Sequence, residues 1–270
     1  MMKNNYLTLI GIIIGLSLVL TCAVAAMAPD NQNPETLLSN EPVVTAVKEN
    51  IQIFTGSPVE TIDSITIMET AFGNVYQVTT DDGNIFNVNA ESGQIEAALV
   101  QRGFGEFNAA KDLSDMETAA HAFAEKYYKN FAEKKMTLVE SGIIDHGDAG
   151  KEYVFSWNAM SGEVYTLSFV SVSYFPDDNL IEYHGIDRDL LVDTTPEISK
   201  EEAQKIGERA FSMGSAAKTT SGLQVIPYGD GQALSWIVNT VEYDKIGIAH
   251  GGNVYVDAES GKVLLKDPFN

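Results

Sequence analysis

The sequence lacks most of what staples and metal centres are built from. One residue of 270 is cysteine, Cys22. That excludes an intrachain disulfide and any cysteine-based metal site, so stability has to come from packing. Basic residues are also scarce: 17 Lys and Arg stand against 38 Asp and Glu, for a net charge of −21. A chain this acidic repels phosphate backbones and anionic lipid surfaces, so nucleic acid is not an expected partner. Cations, cationic partners or a salty medium are compatible with it, and the same charge also serves plain solubility. The four histidines are His121, His146, His184 and His250. No two of them stand at His-x-x-x-His or His-Glu-x-x-His spacing, so a zinc-peptidase reading fails. No Gly-x-Ser-x-Gly, phosphate loop or dinucleotide fingerprint occurs. Ser215-Ala216-Ala217-Lys218 has Ser-x-x-Lys spacing, but the companion Ser-Asp-Asn and Lys-Thr-Gly motifs are missing. The expectation is a protein that is not an enzyme, with no catalytic, cofactor-binding or metal-ligating residue and no cofactor.

Long hydrophobic runs are confined to the N-terminus. Lys3 precedes a nearly unbroken apolar stretch from Leu7 to Leu20, and small residues follow at Ala23-Val24-Ala25-Ala26. This is the layout of a secretory signal peptide, with cleavage after Ala26. Two other readings compete. The uncharged run from Tyr6 to Ala28 is long enough to span a bilayer as a retained anchor, so residues 7–28 could tether the chain to a membrane. Cys22 could carry a lipid, although Val19-Leu20-Thr21 before it only loosely resembles a lipoprotein signal. All three export the remainder, which is expected to be extracytoplasmic, either secreted or held on the outer face of the cell membrane. Residues 1–28 are therefore assigned as signal or anchor. Residues 29–40, polar and with two prolines, read as a linker.

Several acidic and aromatic groups are candidates for binding. Asp81-Asp82, Asp177-Asp178 and Asp187-Arg188-Asp189 place carboxylates together, as does Asp145-His146-Gly147-Asp148. Carboxylate oxygens suit calcium, so weak cation binding is conceivable. None has EF-hand spacing, and Asp-rich segments usually just turn the chain. Trp157, Trp236, Tyr153, Tyr174, Phe175 and Tyr255 fall on expected strands. Alternation sends about half of such residues inward. An exposed row on an edge strand would instead dock a peptide.

From residue 41 the chain reads as helices followed by strands. Val44, Val47, Ile51 and Phe54 recur at helical spacing, with Pro42 in the first turn and Gly56 beyond the end. Strands are expected around 62–67, 75–79, 85–90 and 94–100. Ser114-Asp115-Met116-Glu117 and Ser199-Lys200-Glu201-Glu202 both have capping-box spacing, and four strands follow each. The two boxes lie 85 residues apart. A strand–turn–strand segment also recurs: Val88-Asn89-Ala90-Glu91-Ser92-Gly93-Gln94-Ile95 returns 168 residues later as Val256-Asp257-Ala258-Glu259-Ser260-Gly261-Lys262-Val263. The shared period places a middle turn at Phe175-Pro176-Asp177-Asp178-Asn179-Leu180-Ile181, with Asn179 in the glycine position. Asn158-Ala159-Met160-Ser161-Gly162 looks similar but falls a hairpin too early, and it reads as an ordinary hairpin turn. The expected fold is α+β: three repeated units over 41–103, 104–194 and 195–270, each a helix packed on a small antiparallel sheet.

A helix opened by Ser/Thr-x-x-Glu, and a final strand reading Val-Asp-Ala-x-Ser/Thr-Gly-x-Val, resemble the PepSY domain family. The resemblance is strongest at Ile198-Ser199-Lys200-Glu201-Glu202-Ala203 and from Tyr255 to Val263. The first unit matches in its second half, with Asn89 in place of Asp. The middle unit departs at the turn. The resemblance implies tandem cystatin-like units of exported proteins, as in peptidase propeptides. It further implies a non-catalytic module of the cell envelope that holds or inhibits peptidases, with no shared catalytic residues. The function expected is an exported binding module that engages a peptidase or another envelope protein. Two alternatives stay open: a structural or spacer protein of the cell surface, and an unrecognised hydrolase that would use a pair such as Asp145 and His146.

Overall fold

The computed structural model describes residues 37–101, 111–147, 150–176, 179–214 and 217–269. The signal or anchor expected at 1–28 and most of the linker lie outside the described residues, as do Asp177, Asp178 and Ser215. Among the described residues no helix is long and apolar enough to cross a membrane.

Each of the three helices found among the described residues has an identifiable start. Helix α1 spans Glu41–Thr55; the Asn40 side chain accepts the Val43 N–H, Pro42 fills the first turn, and Gly56 ends the helix at φ 72°. Helix α2 spans Leu113–Tyr127, and α3 spans Lys200–Ala210. Ser199 caps α3 by accepting the Glu202 N–H, as the capping-box spacing predicts. The box expected at Ser114 does not form. Asp112 is the N-cap of α2 and takes the Ser114 N–H, while Glu117 accepts a bond from Ser141 instead. Asp is as good a cap as Ser, and it stands two residues earlier.

Among the described residues twelve strands fall in three runs. The first run is β1 (Ile62–Thr70), β2 (Gly73–Thr80), β3 (Ile85–Asn89) and β4 (Ile95–Leu99). The second is β5 (Thr137–Asp145), β6 (Lys151–Ser161), β7 (Val164–Tyr174) and β8 (Leu180–Ile186). The third is β9 (Lys218–Tyr228), β10 (Gly231–Tyr243), β11 (Ala249–Asp257) and β12 (Val263–Pro268). The Asn158–Gly162 segment lies at the end of β6 and turns at Gly162, the hairpin its placement predicts. Gly251 and Gly252 lie within β11. A Cβ on either would stand 2.0 or 2.1 Å from a carbonyl oxygen of the neighbouring strand, so only glycine fits there.

Three helices each on a separate small antiparallel sheet is not what forms. The strands join one 12-stranded sheet, ordered β1-β2-β3-β4-β8-β7-β9-β10-β11-β12, with β5 and β6 continuing from β7. The sheet is mixed because β7 and β9 run parallel where Tyr165 meets Gln224. The physical reason lies at the strand edges. Each small sheet would leave a row of unpaired N–H and C=O groups, and pairing edge to edge satisfies them. So β4 takes β8 as a neighbour, with Ala97 opposite His184 and Leu99 opposite Glu182.

By contacts the chain divides into two compact units. The first holds residues up to Asn158 together with Ser168–Asp187, and the second holds Ala159–Leu167 and Arg188–Asn270. The first unit has a single core fed by two helices. Val47, Ile51 and Phe54 of α1 and Met116, Ala120 and Ala124 of α2 belong to one cluster with Phe86, Phe155, Trp157 and Tyr183. This shared core is the second reason that separate helix-and-sheet units fail. In the second unit α3 lays Ala203, with Ile206 beside it, onto Val238, Val254 and Val256. Gly207 permits that approach, since a Cβ there would stand 2.5 Å from a Val238 methyl.

Candidate functional site

The recurrent turn has the same geometry in both units. Asn89 Oδ1 accepts the N–H groups of Glu91 and Ser92 at 3.0 and 2.8 Å. Asp257 Oδ1 accepts those of Glu259 and Ser260 at 3.2 and 2.6 Å, plus the Ser260 hydroxyl. Gly93 and Gly261 follow at φ 73° and 74°, a conformation glycine adopts without steric cost. A bulge sits just before each turn, at Asn87/Val88 and at Tyr255/Val256. Burial raises the Asp257 carboxyl, but the bonds from Ser260 and Glu259 and the charge of Lys262 outweigh it, so its pKa falls below the ordinary Asp value. The serine and carboxyl here are absorbed in holding the backbone. The middle segment closes differently: Phe175 N–H bonds to the Asn179 carbonyl, one residue short of the Asn89-to-Gln94 and Asp257-to-Lys262 closures.

The histidines do not converge. His121 lies exposed on α2 with its ring edge-on to Phe131 and Trp157, at 5.1 and 5.9 Å between centroids. His146 bonds Glu152 at 2.8 Å, while Asp145 turns away to accept the Gly147 N–H. The pair that a hydrolase would need therefore does not meet. His184 pairs with Glu182, and that bond holds the Glu182 carboxyl below its usual range despite burial. His250 lies 3.4 Å from Asp244. Among the described residues no three His, Cys, Asp or Glu side chains are grouped to hold a metal. Asp82 spends its oxygens on Thr80 and Asn84 inside its own turn, and Asp187 pairs with Lys134.

Most of the six aromatics face inward. Tyr153, Trp157, Tyr174 and Tyr255 are buried. Trp236 is half-buried and donates its indole N–H to the Ile198 carbonyl at 3.1 Å. They form no exposed docking row. Tyr183, absent from that set, is fully buried, and among the described residues its hydroxyl has no hydrogen-bond partner. Burial pushes its pKa up, with smaller contributions from Tyr128 and Glu96. Gly185 makes room for it, because a Cβ there would stand 2.0 Å from that hydroxyl.

Exposed apolar surface is found elsewhere. In the second unit the β10–β11 hairpin ends in Tyr243, Ile246 and Ile248, with Ile246 81 % exposed. Asp244 fixes this tip, its Oδ1 accepting the N–H groups of Ile246 and Ile248 at 2.9 Å each. Those backbone bonds hold its carboxyl below the usual range. Register carries Phe269 to the same end, since its N–H donates to Gly251. The outer edge of β12 has no strand neighbour among the described residues. Sequence reasoning did not single out these residues; the signal available was Ile-Gly-Ile between two long strands.

This unit is also where a known family is found. The family model described as peptidase propeptide and YPEB domain, PepSY, matches residues 197–267. The chain carries a PepSY domain. The match begins just before α3, runs through β9, β10 and β11, and ends within β12. It therefore includes the apolar hairpin tip and the open β12 edge. No curated protein matches the chain.

Proposed function

We propose that this chain is an exported, non-catalytic binding module that engages a peptidase or another envelope protein through its PepSY unit. The match at 197–267 carries the reading, since the family takes its name from peptidase propeptides. The surface supports it. The β10–β11 hairpin presents Tyr243, Ile246 and Ile248 to solvent, and contiguous exposed apolar groups mark interaction sites in soluble proteins. The free β12 edge can accept an extended strand from a partner, with main-chain bonds supplying affinity. A pure spacer would be polar all round with covered edges, so both features weigh against the structural alternative. The N-terminal segment supplies the export.

The test uses the full chain as bait on the native envelope fraction at physiological salt, read by mass spectrometry of retained proteins and by casein hydrolysis in the same fraction. The expected result is retention of a peptidase and slower casein turnover. The double variant Ile246→Ser/Ile248→Ser loses both. Equal retention by wild type and variant, or no retained protein at all, refutes the reading.

A further inference from the structure

The first unit holds a cavity of about 510 Å3 that the PepSY reading does not use. Its apolar part comes from both helices and two strands, with Phe54, Phe123, Tyr127 and Leu180 among the lining. Phe123 and Tyr127 are only half-buried, so ring surface is offered to whatever enters. Its mouth carries Glu60, Asp81 and Asp82, and among the described residues no lysine or arginine lines it. The Asp81 N–H bonds the Thr61 carbonyl, so the loops bearing Glu60 and Asp81 lie side by side. Asp82 is taken up by Thr80 and Asn84. Neither Glu60 nor Asp81 has a side-chain hydrogen-bond or ion-pair partner among the described residues. Nearby, Lys48 donates to the Glu60 carbonyl at 2.6 Å, and Lys126 lies 4.6 Å from the centroid of the Tyr127 ring.

We propose that this cavity is a binding site for a basic, apolar peptide segment of a partner protein, one that inserts an apolar side chain among Phe54, Phe123 and Leu180 and sets a Lys or Arg against Glu60 and Asp81. Three observations on the page point to that chemistry together. The volume falls within the range of about 300–1,000 Å3 usual for ligand sites, and the lining sets rings beside carboxylates and hydroxyls. Carboxylates at the mouth of a low-dielectric cleft focus a negative field on it, and the chain's charge of −21 reinforces that field over its whole surface. The aromatic wall favours cations over anions, since ring faces attract ammonium and guanidinium groups; Lys126 on Tyr127 already shows this within the chain. An acidic or neutral apolar segment would leave the two carboxylates unpaired and partly desolvated. A basic segment without an apolar side chain would leave the aromatic floor wet. The site rests on the first unit alone, so it stands or falls separately from the PepSY reading.

The test is fluorescence polarisation on the full chain. The probe is a labelled peptide Ala-Leu-Arg-Phe-Lys-Ala, with Ala-Leu-Glu-Phe-Glu-Ala and Ala-Ser-Arg-Ser-Lys-Ala as controls. The first is expected to bind saturably, and each control about tenfold more weakly or worse, a difference of about 1.4 kcal/mol. Raising NaCl from about 50 to about 500 mM weakens the first peptide, because exposed charges are screened over a shorter length. The double variant Glu60→Lys/Asp81→Lys changes two exposed side chains, so it keeps the wild-type circular dichroism and loses about tenfold in affinity for the basic apolar peptide. The proposal is overturned if no saturable binding is seen, if the acidic control binds equally, if the serine control binds equally so that charge alone is at work, or if the variant binds unchanged. If peptide binding is lost in this variant while peptidase retention from the envelope persists, the two sites are separate.

Discussion

Phe54 gives the sharpest test of the single core in the first unit. It lies in the last turn of α1, is 5 % exposed, and meets four rings: Phe86 at 6.4 Å, Phe123 at 5.6 Å, and Tyr127 and Tyr183 each at 5.0 Å. Phe123 and Tyr127 belong to α2, so the ring joins the two helices. Phe54→Ala removes these contacts together with the transfer free energy of the ring, and such truncations cost about 3–5 kcal/mol. The lower end applies, because Phe54 also lines the open cavity and water can enter the space left behind. With a urea dependence of about 3 kcal/mol/M, the midpoint should fall by about 1 M.

The probe is tryptophan fluorescence. The chain has two tryptophans: Trp157, stacked on Phe155 in the core of the first unit, and Trp236 in the second. A Trp236→Phe background isolates Trp157, at a cost confined to the lost bond to Ile198, about 1 kcal/mol. If α1 and α2 share one core, the Trp157 transition moves by the full 1 M or so, although the mutated residue is 103 positions away in sequence. If the helices stabilise separate small domains, far-UV circular dichroism shows an early loss while the Trp157 midpoint stays where it was. That second outcome would refute the shared core.

Gly207→Ala would normally gain about 1 kcal/mol in a helix interior, but here the new Cβ lands 2.5 Å from Val238 Cγ1 and 2.9 Å from its Cβ. Overpacking costs about 1–3 kcal/mol and wins, so the Trp236 midpoint drops; adding Val238→Ala recovers part of the loss, and strict additivity in a double-mutant cycle would contradict the contact. Tyr183→Phe removes a buried hydroxyl that has no partner, so it is neutral or stabilising by about 1 kcal/mol; a clear loss in thermal denaturation would expose an unrecognised bond. The Asp257 carboxyl has a folded-state pKa below its ordinary value of 3.8. Its contribution is therefore present above the unfolded-state value and is lost as pH falls from there through the folded value. Asp257→Asn flattens the acid limb of the second unit's stability curve, read from Trp236 melts between about pH 5 and pH 2; an unchanged limb means the carboxylate is not the titrating group.

The elements themselves were legible from residue order, because each signal was local. Apolar periodicity located Val47, Ile51 and Phe54 on one face of α1. Ser199 with Glu202 marked the start of α3, and four strands were expected after each helix, as found. What residue order hid was who pairs with whom. Nothing in Ile95-Glu96-Ala97-Ala98-Leu99 says that its free edge will take β8, since edge pairing is made by backbone groups common to every residue. The false capping box at Ser114 has the same root: a spacing that fits a cap is no evidence when Asp112 stands two positions ahead with an equal claim. The surfaces now proposed as sites stayed hidden for a related reason. Ile246 and Ile248 fall between two expected strands, where nothing local marks them as exposed, and the bonds gathered by Asp244 shape the tip that carries them. The cavity joins side chains from Ile51 to Leu180, a juxtaposition without any sequence motif.

The two matching turns bring local and long-range information together. Asn89 and Asp257 make the same pair of backbone bonds, yet one carries a charge and the other does not. Geometry is therefore preserved where ionisation is not, which is what a purely architectural role requires and what a site that used the carboxylate would forbid. Each turn also meets its own unit's helix. A Cβ on Gly93 would stand 2.7 Å from Asn50 of α1, and one on Gly261 would stand 3.4 Å from Ile206 of α3. The turn thus fixes the distance between the last strand pair and the helix in both places. In the second unit this places the open edge of β12 at a set position beside α3. Binding through that edge would then use a surface whose shape the turn has fixed in advance, and an extended partner strand would meet little ordering cost on this side of the interface.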